Sequence, residues 1–154
     1  FYKIVLKISK KNPEILFVLK SKNYDWIKIP FFSDIYKMVK KQKNLILFSS
    51  KIKMTNYEMI QNADFTVAKW TSLVDDFLMN NKPAIVYDNP PFITGIIKYP
   101  SKILSYNIND LTIKIDKIQN NLKKYNSKLK NFRKRYYSKF ELKKLQIQLT
   151  KILK

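Results

Sequence analysis

The chain has 154 residues, enough for one hydrophobic core and short for two. Its 45% hydrophobic and 14% aromatic content excludes a disordered chain, and the absence of cysteine and histidine excludes disulfides, cysteine-held metals and the commonest general base. Thirty-one Lys and Arg against eleven acids leave a net charge of +20, which points to anionic partners: nucleic acid, anionic lipid or a phosphorylated small molecule.

Part of that excess follows from a composition rich in Lys, Asn and Ile and with one glycine. No apolar run reaches the ~18–20 residues that span a bilayer, and no signal-peptide pattern opens the chain. Phe1 in place of Met reads as the start of a piece of a longer protein.

The elements follow in chain order. Tyr2 to Ser9 reads as a helix with Ile4, Val5, Leu6 and Ile8 on a broad apolar surface, ended by Asn12-Pro13. Ile15 to Leu19 is an apolar run of strand length, as expected of a strand buried on both faces. Ser21 to Pro30 reads as a loop. Ser33 is the expected N-cap of a helix through Lys41, with Ile35, Tyr36, Met38 and Val39 inward. Asn44 to Phe48 reads as a second buried strand. Thr55-Asn56-Tyr57-Glu58 is a capping box for a short helix to Asn62.

Next come a strand from Phe65 to Lys69, a helix from Thr71 to Asn80, a Lys82-Pro83 break and a strand from Ala84 to Tyr87. Asn89-Pro90-Pro91 and Gly95 mark a loop. A fifth strand is expected over Lys102 to Tyr106. Asn109 and Asp110 are expected to cap a helix carrying Leu111, Ile115, Ile118 and Leu122. From Lys114 to Lys154, fourteen basic residues face two acids, and Leu142, Leu145, Leu149 and Leu153 form a stripe at helical spacing. Strands alternating with helices predict an α/β chain: a parallel sheet with helices on both faces and a basic helical C-terminal tail.

The chemistry concentrates between Asn62 and Asp88. Ligands meet open α/β sheets at the carboxyl ends of their strands. A helix N-terminus also presents backbone N–H groups and a partial positive charge to a phosphate. Thr71 and Ser72 stand at such a start, and Asp76 lies four residues after Ser72 on the same helix face. Thr71 and Ser72 are therefore candidate phosphate ligands and Asp76 a candidate acceptor for sugar hydroxyls. Ser72 to Asp75 also reads as a capping box, which needs no ligand. Lys69 and Trp70, on the strand-to-helix turn, could neutralise a diphosphate and stack on a base. Lys20, at the end of the first strand, could reach the same donor. No glycine-rich phosphate loop is present.

The ordered series Ala63-Asp64, Thr71-Ser72, Asp75-Asp76, Asn81-Lys82-Pro83 and Ala84-Ile85-Val86-Tyr87-Asp88, opened by Lys10 to Glu14 and Ile15 to Lys20, carries a resemblance. It resembles the donor-binding, C-terminal half of GT-B glycosyltransferases and of the related polyol-phosphate transferases of surface-polymer synthesis. The resemblance spans about Ile4 to Asn107.

It implies a Rossmann-like nucleotide-sugar-binding domain over residues 1–113, with residues 114–154 as a basic helical extension of the same domain. It implies a nucleotide-diphosphate sugar or CDP-polyol as donor, no metal, and a growing surface glycan as acceptor in polysaccharide or capsule synthesis. The catalytic base in such enzymes normally comes from an N-terminal acceptor half, so this piece would bind donor and not turn over alone. The place implied is cytoplasmic, with the cationic tail suited to the inner face of an anionic membrane. Lys69-Trp70 departs from the family, which often has Asp-Tyr or Glu-Phe there, and leaves the donor type open. The rival reading is a non-catalytic basic α/β module that binds RNA or an acidic partner through Asn131 to Tyr137, where bases and aromatics mix.

Overall fold

A computed structural model of the chain describes residues 1–21, 25–48, 54–69, 71–90 and 99–137, with side chains described as far as 134. The chain is α/β, and its described strands pair in parallel throughout. It divides into two compact units, Phe1–Thr55 and Asn56–Lys154.

The first unit opens with helix α1 (Tyr2–Lys11), followed by strand β1 (Phe17–Leu19). Two short 3-10 turns, η1 (Asp25–Lys28) and η2 (Pro30–Phe32), lead into helix α2 (Ser33–Lys41) and strand β2 (Leu45–Leu47). β1 and β2 run parallel with Phe17 opposite Leu45, Val18 opposite Ile46 and Leu19 opposite Leu47. Leu6, Leu19, Trp26, Ile35, Val39 and Leu45 form the core, with Tyr2, Phe17, Phe32 and Tyr36 packed against it. The Asn44 side-chain amide donates to the carbonyls of Ser9, Asn12 and Ile15 at 2.8–2.9 Å, which fixes the end of α1 against the start of β1.

Four expectations for this unit are corrected. Strands β1 and β2 are not buried on both faces. Val18 is 46% and Ile46 44% exposed, because the helices and turns of the unit cover one face of a two-stranded sheet and side chains alternate between faces. The stretch 25–30 is not an open loop: it coils into η1 and η2 and buries Trp26 in the core. Ser33 is not the N-cap of α2. η2 runs directly into the helix, so Phe32 precedes it in a helical conformation and Ser33 is the first helical residue. Met38, expected inward, is exposed.

The second unit begins with α3 (Asn56–Asn62) and β3 (Thr66–Ala68). Helix α4 (Leu73–Met79) and strand β4 (Ala84–Tyr87) follow. After β5 (Leu104–Ser105) come three helices: α5 (Ile108–Asn120), α6 (Leu122–Ser127) and α7 (Lys130–Tyr137). The sheet order is β3-β4-β5, with Val67 opposite Ile85 and Val86 opposite Leu104. Among the described residues the five strands thus form a two-stranded and a three-stranded sheet, where one sheet was expected. β4 is central in its sheet and fully buried, so its four residues are all apolar or aromatic, as the sequence predicts for a strand covered on both faces.

Helix α4 packs on β3 and β4 through Val74, Phe77 and Leu78, while α5 packs on β4 and β5 through Leu111, Ile115 and Ile118. Helix α5 starts one residue ahead of the expected caps. Asn107 is the N-cap, its Oδ1 accepting from the Asp110 N–H at 2.9 Å, and the helix runs unbroken through positions 113 and 114. It stops at Asn120, and Leu122 belongs to α6, which Asn121 caps by accepting from the Lys124 N–H at 2.7 Å. The leucine stripe 142–153 lies outside the described residues.

The Asn81-Lys82-Pro83 phrase has a structural role. Asn81 closes α4 in the left-handed region (φ 57°), where asparagine is the least strained choice after glycine. Lys82 Nζ donates to the carbonyls of Gln61 (2.7 Å) and Ala63 (2.6 Å), satisfying the end of α3. Asn126 and Arg133 both bond to Asn81, tying α6 and α7 to this turn.

Candidate functional site

The candidate site is the carboxyl edge of the β3-β4-β5 sheet. Because the three strands are parallel, the residues that follow each of them come to the same edge. After β3 stand Lys69 and, at the start of α4, Thr71 and Ser72. After β4 stand Asp88 and Asn89, and after β5 stand Tyr106 and Asn107.

Polar contacts lace this edge together. Lys69 Nζ donates to the Asn89 carbonyl at 3.0 Å. Asn89 Nδ2 donates to the Tyr106 carbonyl at 2.6 Å. The Asp88 N–H donates to the Ser105 carbonyl at 2.8 Å, and Ser105 Oγ donates to the Asn107 carbonyl at 3.1 Å. Asn89 and Tyr106 are exposed, whereas Asp88 and Ser105 are fully buried. A carboxyl group buried beyond the last residue of the central strand is unusual, since acidic side chains are seldom fully covered.

Thr71 and Ser72 are both exposed. Thr71 Oγ1 accepts from the Leu73 N–H at 3.2 Å, so one of the first N–H groups of α4 is already satisfied within the chain. The capping box expected from Ser72 to Asp75 does not form. Ser72 is itself helical (φ −63°, ψ −14°), which turns its hydroxyl away from the cap position. Asp75 Oδ1 instead accepts from the Tyr99 hydroxyl at 3.0 Å, and the Tyr99 ring is buried beside Phe132. Asp76 is half-buried one turn beyond Ser72, and among the described residues its carboxylate meets no cation at ion-pair distance. Helix α4 is only seven residues long, so its dipole is weak.

Of the six residues singled out from the sequence, Lys69, Thr71, Ser72 and Asp76 belong to the second unit, the first three at this edge and Asp76 one helical turn along α4. Trp70 lies outside the described residues. Lys20 belongs to the first unit, at the end of β1, with Nζ 5.4 Å from the centre of the Phe48 ring. Sequence reasoning missed Asp88, Asn89 and Tyr106. The signal for Asp88 and Asn89 is their place directly after an apolar strand, where the sequence reading takes Asn89-Pro90-Pro91 only as a loop, and Tyr106 stands at the end of the expected fifth strand.

In the segment 131–137, Phe132 is half-buried beside Tyr99, and Arg133 bonds to Asn81 and Asn126. Both residues serve internal packing. Among the described residues no group of three acidic side chains could hold a metal ion, and no helix is long and apolar enough to cross a membrane. Compared with family models, with curated proteins and with solved structures, the chain finds no match.

Proposed function

We propose that this chain binds the phosphorylated nucleotide donor, a nucleotide-diphosphate sugar or CDP-polyol, of a transferase that extends a surface glycan. In this reading it is the donor half of a Rossmann-like, GT-B-type enzyme whose catalytic base and acceptor site belong to another half. The observation that supports it best is the polar rim at the carboxyl ends of three parallel strands, where Lys69, Thr71 and Ser72 stand together. Lys69 supplies positive charge for the diphosphate. The exposed Thr71 and Ser72 hydroxyls supply donors. Asp76 accepts from the ribose hydroxyls: four residues of helix rise, about 6 Å, separate it from Ser72, a span suited to a phosphate and its ribose.

Titration calorimetry with nucleoside diphosphates tests this reading. The Asp76→Ala variant is expected to bind about ten-fold more weakly, because a hydrogen bond to a charged group is lost. Inorganic phosphate, which has no ribose, should bind both proteins alike. Equal nucleotide affinity for the two proteins would reduce Asp76 to a surface charge, and equal weakening toward inorganic phosphate would replace ribose recognition by general electrostatics.

A further inference from the structure

We propose that the first unit carries a docking knob for an anionic lipid surface, formed by Ile29, Pro30 and Phe31. This inference is independent of the donor-site reading. Phe31 is 76% exposed, more than any other large apolar side chain among the described residues, and its neighbour Ile29 is 46% exposed. Two apolar residues flanking a proline, all turned to solvent, lose contact with water only if something covers them.

The knob stands on a rigid base. The Phe31 ring meets Phe32 edge-on at 5.1 Å, and Phe32 meets both Tyr2 and Trp26 edge-on at 5.9 Å. Trp26 stacks on Tyr2 at 4.2 Å. Part of the turn's backbone is already satisfied: the Ile29 N–H donates to the Trp26 carbonyl, the Phe32 N–H to the Ile29 carbonyl and the Ser33 N–H to the Pro30 carbonyl. Pro30 has no N–H to satisfy. Immersing this turn in an interface therefore strips few backbone groups of water, which is the main obstacle to placing loops there.

Charge fixes the kind of surface. Residues 1–55 hold thirteen lysines and three acids. Lys28 directly precedes the knob, Lys3 adjoins Tyr2, and Lys40 lies over the Tyr36 ring at 4.8 Å. The pairs Lys28–Asp25 (3.5 Å) and Lys37–Asp34 (3.6 Å) are open to solvent on both partners, so they screen these lysines weakly. An exposed apolar tip preceded by a lysine, on a unit with thirteen lysines against three acids, is the pattern of an interfacial anchor on anionic lipid. Nucleic acid is the less fitting occupant. The tip has aliphatic Ile and Pro beside one ring, where base stacking requires flat aromatic platforms, and residues 1–55 contain no arginine.

The experiment is co-sedimentation of the full chain with phosphatidylcholine vesicles, with and without phosphatidylglycerol. Binding is expected only with the anionic lipid. The Ile29→Ser/Phe31→Ser double variant should lose at least about ten-fold, and Lys28→Ala or Lys3→Ala about five-fold each, the effect of one cation near an anionic surface. Both apolar side chains are exposed, so the far-ultraviolet circular dichroism of the variants should match the parent. Phe31→Trp should retain binding and be quenched by brominated lipid. Vesicle binding that the double variant leaves intact would place the contact on the basic C-terminal segment and overturn the proposal. A dimer, or an RNA complex, abolished by the same double variant in a chain that ignores vesicles would overturn it equally.

Discussion

Replacing Phe77 by alanine is expected to cost about 3–5 kcal/mol, the usual range for removing a buried phenyl ring. Phe77 is 2% exposed and sits between Val74 and Leu78 on the face of α4 that packs on β3 and β4. Strand β4 beneath it is fully buried, so little can move in to fill the space left behind. The loss should fall on the sheet that frames the candidate site. Hydrogen exchange at Val86 and Asp88, whose N–H groups bond to Ile103 and Ser105 of the neighbouring segment, reads it directly. Exchange there should accelerate about a hundred-fold or more, since 1.4 kcal/mol is a factor of ten. A change of less than ten-fold would mean that the ring is not an anchor of this core.

The second large effect is alkaline. Tyr125 is buried on α6, its hydroxyl donating to the Lys102 carbonyl at 2.7 Å. Burial, with the Asp110 carboxylate adding to it, pushes the phenol up from 10 to about 12. The folded chain therefore keeps this proton at pH values where the unfolded chain has released it. The stabilisation is fully present below pH 10 and is lost as the pH rises from 10 through 12. Its slope is about 1.4 kcal/mol per pH unit and its full extent on the order of 3 kcal/mol. Lysines titrate in the same window, so the measurement is the difference in urea stability between the parent and Tyr125→Phe. That difference should shrink steadily above pH 10. A difference flat to pH 12 would show the hydroxyl titrating as in water.

The sequence makes the element order readable because apolar residues fall where the periods of helix and strand require them. Ala84 to Tyr87 is legible as a doubly covered strand, and α2, with Ile35 and Val39 inward, ends where expected. The errors cluster where tertiary context overrides a local pattern. Ile15 to Leu19 and Asn44 to Phe48 look as apolar as β4, yet in a two-stranded sheet alternate residues reach solvent, and composition does not record how many strands lie alongside. Ser33 and Ser72 are good caps by residue type. Ser33 lost that place to the 3-10 turn that runs into α2, and Ser72 keeps it in a helical conformation without a side-chain bond, which depends on backbone angles and not on side-chain chemistry.

The site was legible in part for the same reason. Residues on one strand-to-helix turn, Lys69, Thr71 and Ser72, are close in sequence and were found together. Asp88, Asn89 and Tyr106 join them only through parallel pairing, which brings distant strand ends to one edge. The Asn81-Lys82-Pro83 phrase shows the limit of motif reading: its contacts close helix ends and hold α6 and α7 to the turn.

The half-open face of β1 and β2 also governs how the protein behaves in bulk. Val18 and Ile46, with Leu16 just ahead of β1, expose apolar surface along strands rich in β-forming residues, the composition from which sticky intermolecular sheets grow. Glu14 and Lys20 bracket the run Ile15 to Leu19 as charged gatekeepers, and a net charge of +20 holds separate molecules apart. That repulsion reaches about 10 Å at 0.1 M salt and about 3 Å at 1 M, whereas apolar attraction survives screening. Concentrated salt should therefore drive this chain out of solution, and light scattering should rise with ionic strength in the parent and less steeply in Val18→Lys.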